Sequence, residues 1–196
     1  FRNVTGVQTC ALPISELFGH WWFEGPQFLK SIFKKIEREN KIQLTTASEE
    51  LNRRKTLEVV ALPEGSWGEG NNHQVWLNEK TEWTWKLVYE AEEKFQSFLS
   101  TYSDSTNTFL KSVIEQTARE LLFLESSDWQ FLISQKSAKD YAEKRFLEHN
   151  QNFMLLLSCA KKIMNEIQLS EEETLLINNC KSQNGIFNHI DIDWWR

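Results

Sequence analysis

Cysteine is scarce in this chain. Three occur in 196 residues, and Cys159 and Cys180, the two beyond the first fourteen positions, fall on separate helical segments without metal-ligand spacing. That pattern excludes a disulfide framework and reads as two buried thiols in a reducing cytoplasm. The four histidines, His20, His73, His149 and His189, form no HExxH or paired spacing, so neither a zinc site nor a cofactor is expected. No apolar run approaches the roughly 18–20 residues that a membrane span requires. An excess of basic residues is missing as well: the formal charge of -6 leaves no positive face for phosphates, which excludes nucleic acid as a partner. A neutral ligand fits better. With 40% hydrophobic and 26% charged residues and no internal repeat, the composition is that of one globular domain or the end of a larger chain.

What the chain has is tryptophan, nine in all. Trp67 and Trp76 lie in SWGEGNNHQVWLNEKTEWTW, the first inside a loop with Ser66, Gly68 and Gly70, the second at the expected opening of a helix. A loop that turns sharply keeps its backbone at the surface. A flat aromatic held there offers a stacking face and one N–H donor, the combination that sugar recognition uses. The pair therefore points to a sugar-binding cleft.

The chain start is of a different kind. Val4 to Ile14, VTGVQTCALPI, resembles the conceptual translation of a sequencing-library adapter: it has no charge, no caps and no periodicity that continues into ELFGHWWFEG. Residues 1–14 are accordingly expected to be foreign to the fold. After them, Gly25-Pro26 introduces FLKSIFKKIEREN, with Phe28, Leu29, Ile32, Phe33 and Ile36 at helical spacing. KIQLTT then alternates as a strand, ASEELNRR reads as a short helix from Ser48, and TLEVVALP is extended up to Pro63. Loop, helix, strand and short helix in that order suit the end of an α/β barrel, assigned to residues 15–70.

From residue 71 to 196 the pattern is helical. WLNEKTEWTWKLVYEAEEKFQSFL and NTFLKSVIEQTARELLFLES are periodic, the second with Leu110, Ile114, Ala118, Leu121 and Leu122 as its stripe. A third helix runs from Asp128 to Ser134. In the longest, Tyr141, Ala142, Phe146, His149, Phe153, Leu156 and Leu157 mark one face. Ser170-Glu171-Glu172-Glu173 is a capping-box start for the last. These segments predict an antiparallel helical bundle, with Trp194 and Trp195 packing back on what precedes them.

ELFGHWWFEG (16–25), SWGEG (66–70), VWLNEKTEWTW (75–85) and SSDWQFLIS (126–134) together resemble the last motif blocks of glycoside hydrolase family 57, with 1,4-α-glucan branching enzymes as the best match and α-amylases or 4-α-glucanotransferases as near alternatives. The resemblance implies the last part of a (β/α)7 barrel followed by a helical C-terminal domain. It implies a retaining glucan transfer in cytoplasmic glycogen synthesis, in which a glutamate attacks the anomeric carbon and an aspartate serves as acid and then base. The two carboxylates must stand roughly 5 Å apart. By resemblance the glutamate belongs upstream of this chain, and the aspartate belongs two residues before Glu16, where Ile14 stands. Neither catalytic carboxylate is then present, and no turnover is expected.

The resemblance also implies that Trp67 and Trp76 line a cleft for α-1,4-glucan, that Asp128 faces it from the helical domain, and that Glu16, His20 and Trp22 order the surroundings of the missing acid. Plainer roles stand beside these. His20 alone reads as a structural histidine, and Asp128 as an N-cap of the helix beginning at Trp129. Trp83 and Trp85 read as core or interdomain packing, and Glu79 with Glu82 as a solvated helix face. A reading of another class remains: a non-catalytic helical module that binds glucan or a partner protein. Without its barrel partner, the region near residues 15–65 is expected to expose apolar faces and to aggregate or lose order while the helical part stays folded.

Overall fold

A computed structural model describes residues 17–19, 22–55, 59–66, 68–103 and 106–196. Of the candidate site residues, Glu16, His20 and Trp67 lie outside the described residues, as do positions 1–14. The chain divides after Asn72 into two units, Phe1–Asn72 and His73–Arg196.

In the first unit, α1 spans Gly25–Glu39, with proline in its opening turn and Asn40 as a left-handed C-cap whose N–H bonds to the carbonyl of Ile36. Helix α2 covers Ala47–Arg53. Thr46 and Glu49 form a reciprocal capping box there, so the helix starts one residue before Ser48. The strands expected at KIQLTT and TLEVVALP are not seen: residues 41–46 and 59–63 are irregular and exposed, and no strand occurs among the described residues. An alternating segment becomes a strand only when a neighbour takes its backbone N–H and C=O groups, and the described residues supply none. The barrel half of the expected architecture is therefore not visible. Phe28, Phe33, Ile42, Leu44 and Leu51 are exposed, so the described residues of this unit form no closed core.

The second unit is a helical bundle. Its elements are α3 (Glu82–Thr101), α4 (Thr108–Leu124), α5 (Asp128–Gln135), α6 (Lys139–Met164) and α7 (Glu171–Gln183), followed by a 3-10 turn at Ile192–Trp195. Helices α4 and α6 form the central pair, with α5 packed on α6. The core is Val88, Ala91, Phe95, Phe98 and Leu99 from α3, meeting Ile114, Ala118 and Leu121 from α4 and Phe146, Phe153 and Leu156 from α6. The apolar spacing of each helix selects these faces, except that Tyr141, at the solvated start of α6, is exposed. Asn107 caps α4, its side chain accepting from the Leu110 N–H, and Ser170 with Glu173 closes the expected capping box of α7. Cys159 and Cys180 are free and buried. Burial pushes the Cys180 thiol up to about 12, with nearby Glu120 adding to the shift, so both thiols are inert. No helix among the described residues is long and apolar enough to cross a membrane.

A buried polar cluster ties this bundle together. Glu120 and His149, essentially without solvent exposure, meet at 2.7 Å between Oε2 and Nδ1. The Arg145 guanidinium lies 3.0 Å from His149 Nε2. Arginine only donates, so Nε2 accepts and the ring is the Nδ1–H tautomer, which donates to Glu120. The other carboxylate oxygen accepts from Asn184 Nδ2 at 2.7 Å and Gln116 Nε2 at 3.3 Å. Gln116 also donates to the carbonyls of Cys180 and Asn184, so α4, α6 and the end of α7 share one hydrogen-bonded set.

Candidate functional site

Trp76 does not open a helix. Residues 73–81 form a chain of turns, and α3 begins only at Glu82. Side chains interrupt the backbone turns between the bond of Leu77 N–H to the His73 carbonyl and that of Glu82 N–H to the Asn78 carbonyl: Asn78 N–H donates to Thr81 Oγ1 at 3.0 Å, and Lys80 N–H donates to Asn78 Oδ1 at 2.9 Å. Such local bonds compete with a helix and here delay it by six residues. They also fix Trp76. Its carbonyl accepts from the buried Thr81 hydroxyl at 2.8 Å and from Trp85 Nε1 at 2.8 Å. Asn78 Nδ2 reaches Ser134 Oγ on α5 at 2.9 Å, and that hydroxyl donates to the carbonyl of Val75. The backbone around Trp76 is thus bound to both α3 and α5.

The Trp76 ring is half-buried and stands 6.4 Å from that of Phe131, tilted by 33°. Phe131 lies three residues after Asp128 on α5, hence one turn along the same face. Asp128 is exposed and is the first helical residue, while Ser127 holds the N-cap position without a side-chain cap bond. Asp128 therefore does not serve as the N-cap. Its Oδ2 accepts from Ser126 Oγ at 3.0 Å, and its charge suits the positive end of α5. Beside it, Trp129 donates from Nε1 to the Phe123 carbonyl at 2.7 Å and packs against His149 and the exposed Tyr141. The buried cluster thereby supports the helix that carries Asp128.

The other tryptophans divide. Trp83 is a packing residue, edge-on to Phe146 at 5.3 Å with Nε1 donating to Lys80. Trp85 spends its N–H on Trp76. Trp22, in the first unit, is half-buried between Phe18 and Phe28, with centroids at 5.3 and 5.0 Å. Glu79 and Glu82 are both exposed. The loop around Trp67 turns as expected: Gly70 has φ +73°, a region that disfavours side chains, and Ser66 Oγ accepts from Gly68 N–H at 3.0 Å. Phe131, Ser134 and Asn78 escape sequence reasoning as site residues, although Asn78 and Thr81 carry the signature of a side-chain-held turn. Among the described residues no group of three potential metal ligands comes together.

An acidic pair lies at the end of α4. Burial, reinforced by Glu92, raises Glu125 to about 7. A carboxyl held above its unfolded value contributes stability that is fully present below about pH 4.5 and is lost as pH rises through 7. Urea unfolding should therefore show the bundle weakening between pH 5 and 8 by about 1–2 kcal/mol after allowance for solvent screening. In Glu125→Gln that slope should flatten, and an unchanged slope would contradict the assignment.

A half-buried ring, an exposed carboxylate, a hydroxyl and an amide on a fixed frame suit a neutral polyhydroxylated ligand. Residues 87–195 match the family described as "1,4-alpha-glucan branching enzyme, C-terminal". A 1,4-alpha-glucan branching enzyme of Thermococcus kodakarensis is 37% identical over 179 residues, 90% of this chain and 26% of that protein. A probable 1,4-alpha-glucan branching enzyme of Mycobacterium tuberculosis is 33% identical over 67% of this chain and 26% of its own length. The chain thus spans about a quarter of the curated relatives it matches. Among solved structures, the family 57 branching enzyme of Pyrococcus horikoshii superposes with a TM-score of 0.69 at 37% identity, covering 92% of this chain and 33% of that one. The Thermococcus enzyme, solved in complex with glucose, gives 0.70 at 35% over 92% and 32%. An alpha-amylase of Thermotoga maritima gives 0.57 at 28% over the same shares.

Proposed function

The chain belongs to the 1,4-alpha-glucan branching enzyme family, whose C-terminal domain it carries over residues 87–195, and from that membership we propose that its helical unit is the glucan-binding wall of a retaining branching enzyme. In this reading Trp67 and Trp76 stack on α-1,4-glucan and Asp128 bonds its hydroxyls, while Glu16, His20 and Trp22 order the surroundings of the acid/base aspartate. Residues 15–70 are the end of the (β/α)7 barrel and gain their strands from the rest of it. The protein works on glycogen or an amylose-like glucan in the cytoplasm. Stacking faces that hold a long acceptor and displace water favour transfer to a glucan hydroxyl over hydrolysis.

Ile14 stands where the resemblance puts the aspartate, so the 196-residue chain should bind glucan and show no chain transfer. Branching is preferred to amylase activity because the branching enzymes superpose with TM-scores of 0.69 and 0.70 against 0.57 for the amylase. The observation that carries the proposal is the Trp76 ring, kept half-open while its carbonyl is bonded to Trp85 of α3 and its neighbours Val75 and Asn78 are bonded to Ser134 of the helix bearing Asp128. Titration with maltoheptaose, followed by tryptophan fluorescence, tests it. Trp76→Ala should weaken binding roughly tenfold, the loss of one stacking contact. Binding equal to that of the unaltered chain would remove Trp76 from the site.

A further inference from the structure

At the end of α3 remote from Trp76, a cleft of about 650 Å³ is lined in part by Gln96, Ser100, Tyr102, Trp194, Trp195 and Arg196. Its floor is anchored in the core. Trp195 is half-buried and meets the fully buried Phe95 edge-on at 5.6 Å. Trp194 lies 5.9 Å from Trp195 and 6.1 Å from His189, yet 60% of it is exposed. An indole face is thus held by its neighbours and left open to water.

The rim is polar and balanced in charge. Arg196 pairs with Asp193 at 2.9 Å, lies over the Tyr102 ring at 5.7 Å and donates to the Tyr102 carbonyl at 3.3 Å. Gln96 and Ser100 are exposed beside it. An arginine matched by an aspartate gives an anion little advantage, whereas amide, hydroxyl and guanidinium groups around an aromatic plate suit sugar hydroxyls above an apolar ring face. The cleft is separate from the Trp76 surface. Trp85, which holds the Trp76 carbonyl, precedes Gln96 and Tyr102 by 11 and 17 residues on α3, or about 17–26 Å along the axis.

We propose that this cleft is a second glucan site, which binds a short run of α-1,4-linked glucose units and anchors a long chain whose other part lies against Trp76. It rests on the glucan-binding reading for its ligand, though not on Trp76. Two sites on one folded unit make the second contact of a polymer intramolecular, so long chains gain affinity that short ones cannot.

Calorimetric titration of the full chain with maltotriose and with long linear maltodextrin tests this, using the unaltered chain, Trp194→Ala, Trp194→Phe and Trp76→Ala. Trp194 is largely exposed, so alanine there leaves the core intact. Trp194→Ala should reduce maltotriose stoichiometry from two to one and weaken maltodextrin binding roughly tenfold or more, while Trp194→Phe retains most of it. A Trp194→Ala chain that titrates like the unaltered one overturns the proposal, and if Trp76→Ala then abolishes binding, the Trp76 site stands alone. The reverse result, with binding lost in Trp194→Ala and kept in Trp76→Ala, supports the second site and removes the first. A Trp194→Ala chain altered only in sedimentation assigns the plate to protein contacts and overturns the proposal. No heat with either glucan in any variant overturns both sites.

Discussion

Alanine at Glu120 should cost the helical unit about 3–5 kcal/mol, seen as a lowered urea midpoint. Glu120 has no solvent exposure and accepts at both carboxylate oxygens from His149, Asn184 and Gln116. Its removal leaves His149 Nδ1–H, held in that tautomer by Arg145, and Asn184 Nδ2 without the carboxylate they donate to. Unsatisfied buried groups cost their full desolvation, which is why truncating one partner exceeds the worth of any single bond. Asn184 and Gln116 also fasten the end of α7, so the chain beyond residue 184 should become accessible to protease in the same variant. His149 packs on Trp129, which follows Asp128, and glucan binding should weaken in parallel. A midpoint shift worth less than 1 kcal/mol would show that the cluster is incidental to the fold.

The second large effect is expected at Phe95. It is fully buried and edge-on to Phe153 at 6.0 Å and to Trp195 at 5.6 Å. Phe95→Ala should cost about 3–5 kcal/mol through lost contacts and the cavity left behind. The variant should also release Trp195 from its seat and broaden the indole signals of both Trp194 and Trp195. A stable Phe95→Ala bundle with unchanged indole signals would mean that the C-terminal segment is held elsewhere.

The helices of the second unit are legible in sequence because a 3.6-residue period and capping residues act locally. Asn107, Ser170 and Glu173 announce their helix starts, and Ile114, Ala118 and Leu121 mark a buried face. What eludes a linear reading depends on partners distant in the chain. The alternation in KIQLTT describes a strand only if a neighbouring strand bonds it, so the described residues leave it irregular and exposed. The helix expected at Trp76 yields to the side-chain bonds of Asn78 and Thr81, which give that tryptophan a turn and a fixed carbonyl. Glu120 looks like one more solvated charge on α4. Its burial follows from Asn184, 64 residues away, and from His149, which reads as part of an apolar stripe. Of the candidate site, the motif blocks single out Trp76 and Asp128, while Phe131, whose ring lies 6.4 Å from that of Trp76, emerges only when α5 is placed against the turn.

The most direct test of a glucan-binding helical domain is a two-dimensional NMR titration of its tryptophan indole N–H signals with maltoheptaose. The Trp76 signal should move with saturation while that of Trp83, packed on Phe146 and bonded to the Lys80 carbonyl, stays still. If every indole signal stayed in place at millimolar glucan, the helical unit would not be a glucan-binding wall, and its aromatic surfaces would have to serve contacts with protein instead.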